Sequence, residues 1–153
     1  MANIVANIAK GRVVEYYNRV KGNDPAASAL ILVPIETTGL ETDAVLIDKD
    51  DLAAWLVGTT NEQTTMGRKT LTDADLAALP APDDTNDRYD VSLPTVTWTA
   101  ATGNAISKIL VCYDADTAAG TDSNIIPLTM FDFVQTPSGA DIQMTTGVFL
   151  RAS

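Results

Sequence analysis

The chain has 153 residues, of which 46 % are hydrophobic and 20 % charged, and 20 acids against 10 bases give a formal charge of −10. It contains no histidine and one cysteine, which excludes Ser-His-Asp triads, Cys-His dyads, histidine metal sites, zinc centres and any internal disulfide. The length suits a single domain, commonly roughly 100–150 residues, and is enough to bury a core without staples. No apolar run approaches the roughly 20 residues of a membrane span. The opening Met1 to Lys10 lacks an apolar block ahead of a cleavage site, so no signal peptide is expected and synthesis in the cytoplasm follows. Acids outnumber bases and the bases are not clustered, so neither nucleic acid nor a membrane is expected as a partner.

From the N-terminus, Val5, Ala9, Val13, Tyr16 and Val20 recur at helical spacing. Gly11 weakens the pattern, so the helix is expected from about Gly11 to Lys21, with Gly22-Asn23-Asp24-Pro25 as its stop. Lys10, Arg12, Arg19 and Lys21 are spread along it as a solvated face. Tyr16 and Tyr17 point about 100° apart on such a helix, so one of them is expected to face away from the core. Ala29 to Ile35 reads as a strand buried on both faces, with Pro34 marking its end or an edge. Acids at 48–51 followed by Leu52 to Val57 and Gly58 predict a helix of about two turns. Arg68 to Thr72 is a further strand candidate.

Leu79 to Asp90 holds prolines, small residues and like charges, and reads as an exposed linker-like loop. It divides a helix-containing half, 1–78, from a β-rich half, 91–153, within one domain spanning 1–153. Beyond it the period changes to two. Thr95 to Thr99 alternates, with Val96 and Trp98 on one face. Ile106 to Tyr113 follows, then Asn124 to Phe133 broken by Pro127, then Ile142 to Thr145 and Val148 to Arg151. Strands at this spacing predict a mainly β, α+β chain with one or two short helices, in which an N-terminal helix precedes an antiparallel β-sandwich or barrel.

Chemistry is sparse. No glycine-rich phosphate loop is present. Cys112 lies in an apolar run without a cationic neighbour and reads as a buried hydrophobe rather than a reactive thiol. Trp55 and Trp98 sit on the apolar sides of their elements and read as core. Two loops concentrate oxygen ligands of the kind calcium takes: Asp83, Asp84, Asn86, Asp87 and Asp90 in one, and Asp114, Asp116 and Asp122 around Gly120 in the other. Neither has EF-hand spacing, so both read as solvated loops. Paired carboxylates could serve a glycosidase, but with 6 % aromatic residues no sugar-binding cleft is expected. No catalytic residue, cofactor-binding residue or metal ligand is therefore expected.

The stretch Val91-Ser92-Leu93-Pro94-Thr95-Val96-Thr97-Trp98-Thr99-Ala100-Ala101-Thr102-Gly103-Asn104-Ala105 resembles a family of small virion proteins of tailed bacteriophages. The strand Ile109 to Tyr113 with Asp114-Ala115-Asp116, the segments Gly139 to Met144 and Val148 to Leu150, and the opening Met1-Ala2-Asn3-Ile4 before a helix carrying Lys10 and Arg12 are similar as well. The middle, Thr37 to Leu79, departs from that pattern through the helix around Trp55. The resemblance implies a non-catalytic structural protein of the virion, foremost a capsid decoration or cement protein, with a tail or tail-fibre component as the alternative. It further implies the major capsid protein or another virion subunit as partner, a homo-oligomer on the particle, and no cofactor. Ala2 to Ile8 and Leu79 to Asp90 are the candidate contact arms. A host- or carbohydrate-binding module is a third class, which exposed aromatics would mark.

Overall fold

Residues 29–35 are all buried, and their side chains alternate between two separate cores. Leu30 and Leu32 enter one, while Ala29, Ile31, Val33 and Ile35 enter the other. A strand patterned in this way needs cover on both faces, and the rest of the chain supplies it.

The computed structural model describes residues 4–152. In chain order the elements are β1 (Ile4–Val5), α1 (Val13–Lys21), β2 (Ala29–Glu36), α2 (Asp43–Leu46), α3 (Leu52–Leu56), β3 (Lys69–Leu71), α4 (Asp73–Leu76), β4 (Tyr89–Leu93), β5 (Val96–Trp98), β6 (Ile106–Asp114), β7 (Ile126–Gln135), β8 (Ile142–Met144) and β9 (Gly147–Ala152). The central sheet is antiparallel with the order β1-β7-β6-β2-β3, and two ladders, β4-β9 and β5-β8, stand beside it. The fold is mainly β and of the α+β kind, as the sequence pattern predicts. The sheet does not close into a barrel: β1 and β3 are its opposite edges and do not pair.

One face of the sheet, here the large face, carries α1, α4 and residues of both ladders. The other, the small face, is closed by α2 and α3 together with Ile125. The 79–90 loop does not separate two packing units. Strands from before it (β1, β2, β3) and after it (β6, β7) share one sheet, and the large-face core draws on both sides of it. The loop itself is tied down: Lys21 Nζ donates to the carbonyls of Leu79 (2.8 Å) and Pro80 (3.1 Å), and Asp83 bridges Arg88 at the entry to β4.

Several local expectations are corrected. β2 runs past Pro34 to Glu36, paired throughout with β6. Pro34 presents its carbonyl to Gln63 N–H at 2.9 Å. Its missing donor lies on that same side, so the β6 ladder loses no bond. β7 is likewise continuous through Pro127. One step along β6, Val111 to Cys112, matches two along β7, Thr129 to Pro127, so Leu128 is an inserted bulge residue that absorbs the irregularity. Both Tyr16 and Tyr17 are buried, at 4 % and 1 % exposure. The reason is that α1 is contacted on two sides: the Tyr16 ring stacks on Tyr113 with centroids 4.7 Å apart, while Tyr17 meets Tyr89 and Phe149 at 6.2 Å. Among the described residues there are also four α-helices rather than one or two, the additions being the single-turn α2 and α4. Trp55, Trp98 and Cys112 are core residues, as expected.

Of the candidate arms, Ile4–Val5 is bound to β7 and Ala6, itself buried, donates its N–H to the Leu128 carbonyl at 3.0 Å, so this part is an integral edge of the domain. Ala2 and Asn3 fall outside the described residues.

Candidate functional site

The first acidic loop organises itself rather than a ligand. Asp83 accepts from the backbone N–H groups of Thr85 (3.1 Å) and Asn86 (3.2 Å), and from Asn86 Nδ2 at 2.7 Å. The Asn86 amide holds the Asp83 carboxyl below its ordinary range. Asp90 is turned to Arg151 Nε at 2.5 Å and to Arg88 Nε at 3.3 Å, and Arg151 lowers its pKa. Asp83 and Asp90 therefore both face Arg88 Nε, at 4.0 and 3.3 Å, rather than an open cation site.

The second loop divides as well. Asp114 is buried and accepts from Asp116 N–H at 3.0 Å, while Asp116 accepts from Ala118 N–H at 3.0 Å. The loop wraps so closely that a Cβ on Gly120 would sit 2.7 Å from Asp114 Oδ2. Asp122 points elsewhere, into two bonds from Arg68 at 2.6 and 2.8 Å. Among the described residues, no three acids or thiols gather as a metal cage. The Cys112 thiol is pushed up by burial, which suppresses the thiolate that reactivity needs.

The most organised polar region is the irregular segment 59–68, which the sequence pattern did not single out. Gln63 is 1 % exposed. Its Nε2 donates to the carbonyls of Thr102 (3.2 Å) and Asn104 (3.0 Å), and its Oε1 accepts from Thr65 N–H (2.8 Å) and Met66 N–H (3.2 Å). All four hydrogen-bonding positions of the amide are used. Gly103, at φ +106°, makes room for it: a Cβ there would lie 2.1 Å from Gln63 Nε2. Next along the chain, Trp98 Nε1 donates to the Gly67 carbonyl at 2.9 Å. Arg68 then forks between Glu62 (2.6 and 2.8 Å) and Asp122, and these carboxylates raise its pKa while Arg68 lowers that of Asp122. Glu36 N–H donates to the Asn61 carbonyl at 2.9 Å. One stretch of irregular chain thus clasps β2, β5, the 102–104 turn and the turn Asp122–Asn124. These are structural bonds, and no donor in them is aimed into a cleft.

A cleft of about 310 Å³ opens where β7, β8 and β9 meet, with Leu93, Phe131, Phe133, Met144 and Phe149 on its walls. One exposed valine, Val148, lines it. The second concavity, bounded by Pro82, Asp83, Asp84, Asp87, Arg88 and Tyr89, is shallow and lies over the first acidic loop. Among the described residues no helix is long and apolar enough to cross a membrane.

No family model matches the chain, and no curated protein or solved structure matches it. The class that the fold and its polar bonds define is a cross-braced, mainly β domain.

Proposed function

We propose that this chain is a non-catalytic structural subunit of a tailed-phage virion, a decoration or cement protein bound to the outer capsid shell through the major capsid protein. The observation that carries the reading is the clasp at 59–68. The side chains best placed for chemistry there, Gln63 and Arg68, are spent on holding the domain's layers to one another. A subunit that braces a shell against internal pressure needs that kind of internal cross-linking and needs no bond chemistry.

The resemblance drawn from the sequence adds to this. Its strings from Val91 onward fall on β4, β5, β6, β8 and β9. The departing stretch, Thr37 to Leu79, holds α2 and α3 on the small face and also β3, α4 and the 59–68 clasp, which brace the resembling strands from outside them.

The test is cryo-imaging of particles carrying the chain, with a tagged copy as the marker. Density on the head surface is the expected result. Density confined to the tail would replace this reading with that of a tail component.

A further inference from the structure

The cover of the small face closes on one carboxylate. Residues 41–60 follow β2, form α2 and α3 over the small-face core, and return beside the end of β2. Glu36 N–H donates to the Asn61 carbonyl at 2.9 Å, which anchors the returning end. At the same base a Cβ on Gly39 would lie 2.2 Å from the Thr59 carbonyl, so the outgoing and returning chain pass in contact.

Glu41 joins three parts of this segment. Its Oε2 accepts from Lys49 Nζ at 2.5 Å and from the Thr60 hydroxyl at 2.9 Å, and its own N–H donates to that hydroxyl at 3.1 Å. Lys49 Nζ also donates to the Val57 carbonyl at 3.2 Å. Gly58, at φ +112°, leaves the carboxylate room, since a Cβ there would lie 3.3 Å from Glu41 Oε1. The start, middle and end of the cover thus meet at one anion. The Lys49 and Glu41 side chains are only 16 % and 21 % exposed, and Thr60 is buried.

We propose that Glu41 is a latch, and that protonating it lets 41–60 lift from the small-face core as one unit and uncover the Cys112 thiol. Cys112 is fully buried in that core with Leu46, Leu52 and Trp55. The other acids of the cover have separate partners: Asp43 faces Lys108, Asp48 the Asn7 amide and Asp51 the Ala54 N–H. Two backbone bonds complete its attachment, Asn7 N–H to the Ile47 carbonyl and Leu52 N–H to the Ile125 carbonyl. Lys49 is the charged group that faces Glu41, and it and then the Thr60 hydroxyl hold the carboxyl below its ordinary range. Such a group is ionised, with the latch shut, above the ordinary carboxyl range. The latch lets go as pH falls through the lowered value.

Amide exchange on the full chain, with labelling of Cys112 by an aromatic disulfide near neutral pH, tests this. Glu41→Gln imitates the protonated group. At neutral pH it should raise exchange over 43–57 roughly tenfold, between the small effect of an exposed pair and the much larger one of a buried pair. β2 and β6 should stay protected, as a local opening requires, and thiol labelling should rise by the same factor. Lys49→Gln should open the cover as well, and the double variant should add little to either change. Taking the parent chain from about pH 6 to about pH 3.5, across the carboxyl range, should lower protection over 43–57, and Glu41→Gln should respond less. Glu15→Gln, which breaks exposed ion pairs on α1, should leave that segment unchanged.

Unchanged exchange over 43–57 in both latch variants overturns the proposal. So does a rise spread equally through β2 and β6, or a thiol that stays protected while 43–57 exchanges. The latch does not rest on the location of the protein in a particle, so the imaging experiment and this one can fail separately.

Discussion

On the large face of the central sheet the buried side chains include seven rings, Tyr16, Tyr17, Tyr89, Trp98, Tyr113, Phe131 and Phe149. On the small face they are mostly aliphatic, with Trp55 the single ring and Cys112 beside it. The covers differ too. The large face is closed by elements from both ends of the described chain, α1 near its start and β9 at its end. The small face is closed chiefly by one consecutive segment containing α2 and α3, of four and five residues. Helices so short do not hold themselves. Polar bonds take over: Asp51 caps α3 through Ala54 N–H at 2.7 Å, Trp55 Nε1 reaches the Lys49 carbonyl at 3.2 Å, and Lys49 binds Glu41 at 2.5 Å. One face is held by packing over long sequence distances, the other by local packing under polar staples.

The strongest way to break that comparison is to truncate the indole on each side. Both tryptophans are almost fully buried, and a buried Trp→Ala change costs about 3–5 kcal/mol. Trp98→Ala should fall near the top of that range, because its ring also packs on Phe133 with centroids 6.2 Å apart, and should lower stability everywhere at once. Trp55→Ala should fall near the bottom, with faster amide exchange concentrated over 43–57. Urea unfolding with hydrogen exchange reads both. Equal, global losses from the two variants would show that the small-face cover is not a local unit.

The clasp comes next in size. Gln63→Ala would leave two carbonyls and two N–H groups without their partner, and buried unpaired groups cost about 1–3 kcal/mol each before water or relaxation satisfies some of them. A net loss of about 3 kcal/mol is expected, with new exchange in both the 102–104 turn and residues 65–67. A loss below about 1 kcal/mol would mean that the amide holds nothing the backbone does not.

How legible all this was in the sequence depends on the range of the signal. Alternation placed β5 and the long β6 and β7 strands, and the continuous apolar run placed β2 as buried on both sides. Those signals live within a few residues. The prolines at 34 and 127 were read as breaks because their effect depends on which side the missing donor faces, and only the neighbouring strand decides that. α4 did carry a usable sign, the capping box Thr72-Asp73-Ala74-Asp75, which the strand expected over Arg68 to Thr72, found as β3, obscured. Gln63 carried none. A glutamine among threonines and asparagines looks like any loop residue, and its partners lie about forty positions away at Thr102 and Asn104. The acidic loops were visible, but that Asp122 would be taken up by Arg68 and Asp90 by Arg151 was not, since those pairs also form across long sequence distances.

The two faces should also part company with pH, and here the missing histidine becomes useful. With no imidazole, no side chain of ordinary pKa titrates between about pH 5 and 8, so stability should be flat there. Above that, burial raises the Cys112 thiol on the small face, and on the large face it raises Tyr89 and Tyr113 and pushes Tyr17 up to about 12. Each group therefore stays protonated in the folded chain at pH values where the unfolded chain has released its proton. The unfolded state binds fewer protons, so stability falls as pH rises, by up to about 1.4 kcal/mol per pH unit for each group. Cys112 starts the fall, near its unfolded value of about 8.5, and the tyrosines steepen it only above about 10. Chemical denaturation at a series of pH values should show those two limbs. Cys112→Ala should erase the first and leave the second, whereas Tyr17→Phe should make the second shallower and leave the first. A single limb beginning above pH 10 in the parent chain would mean that Cys112 ionises as readily folded as unfolded, and that the small face admits water where the large face does not.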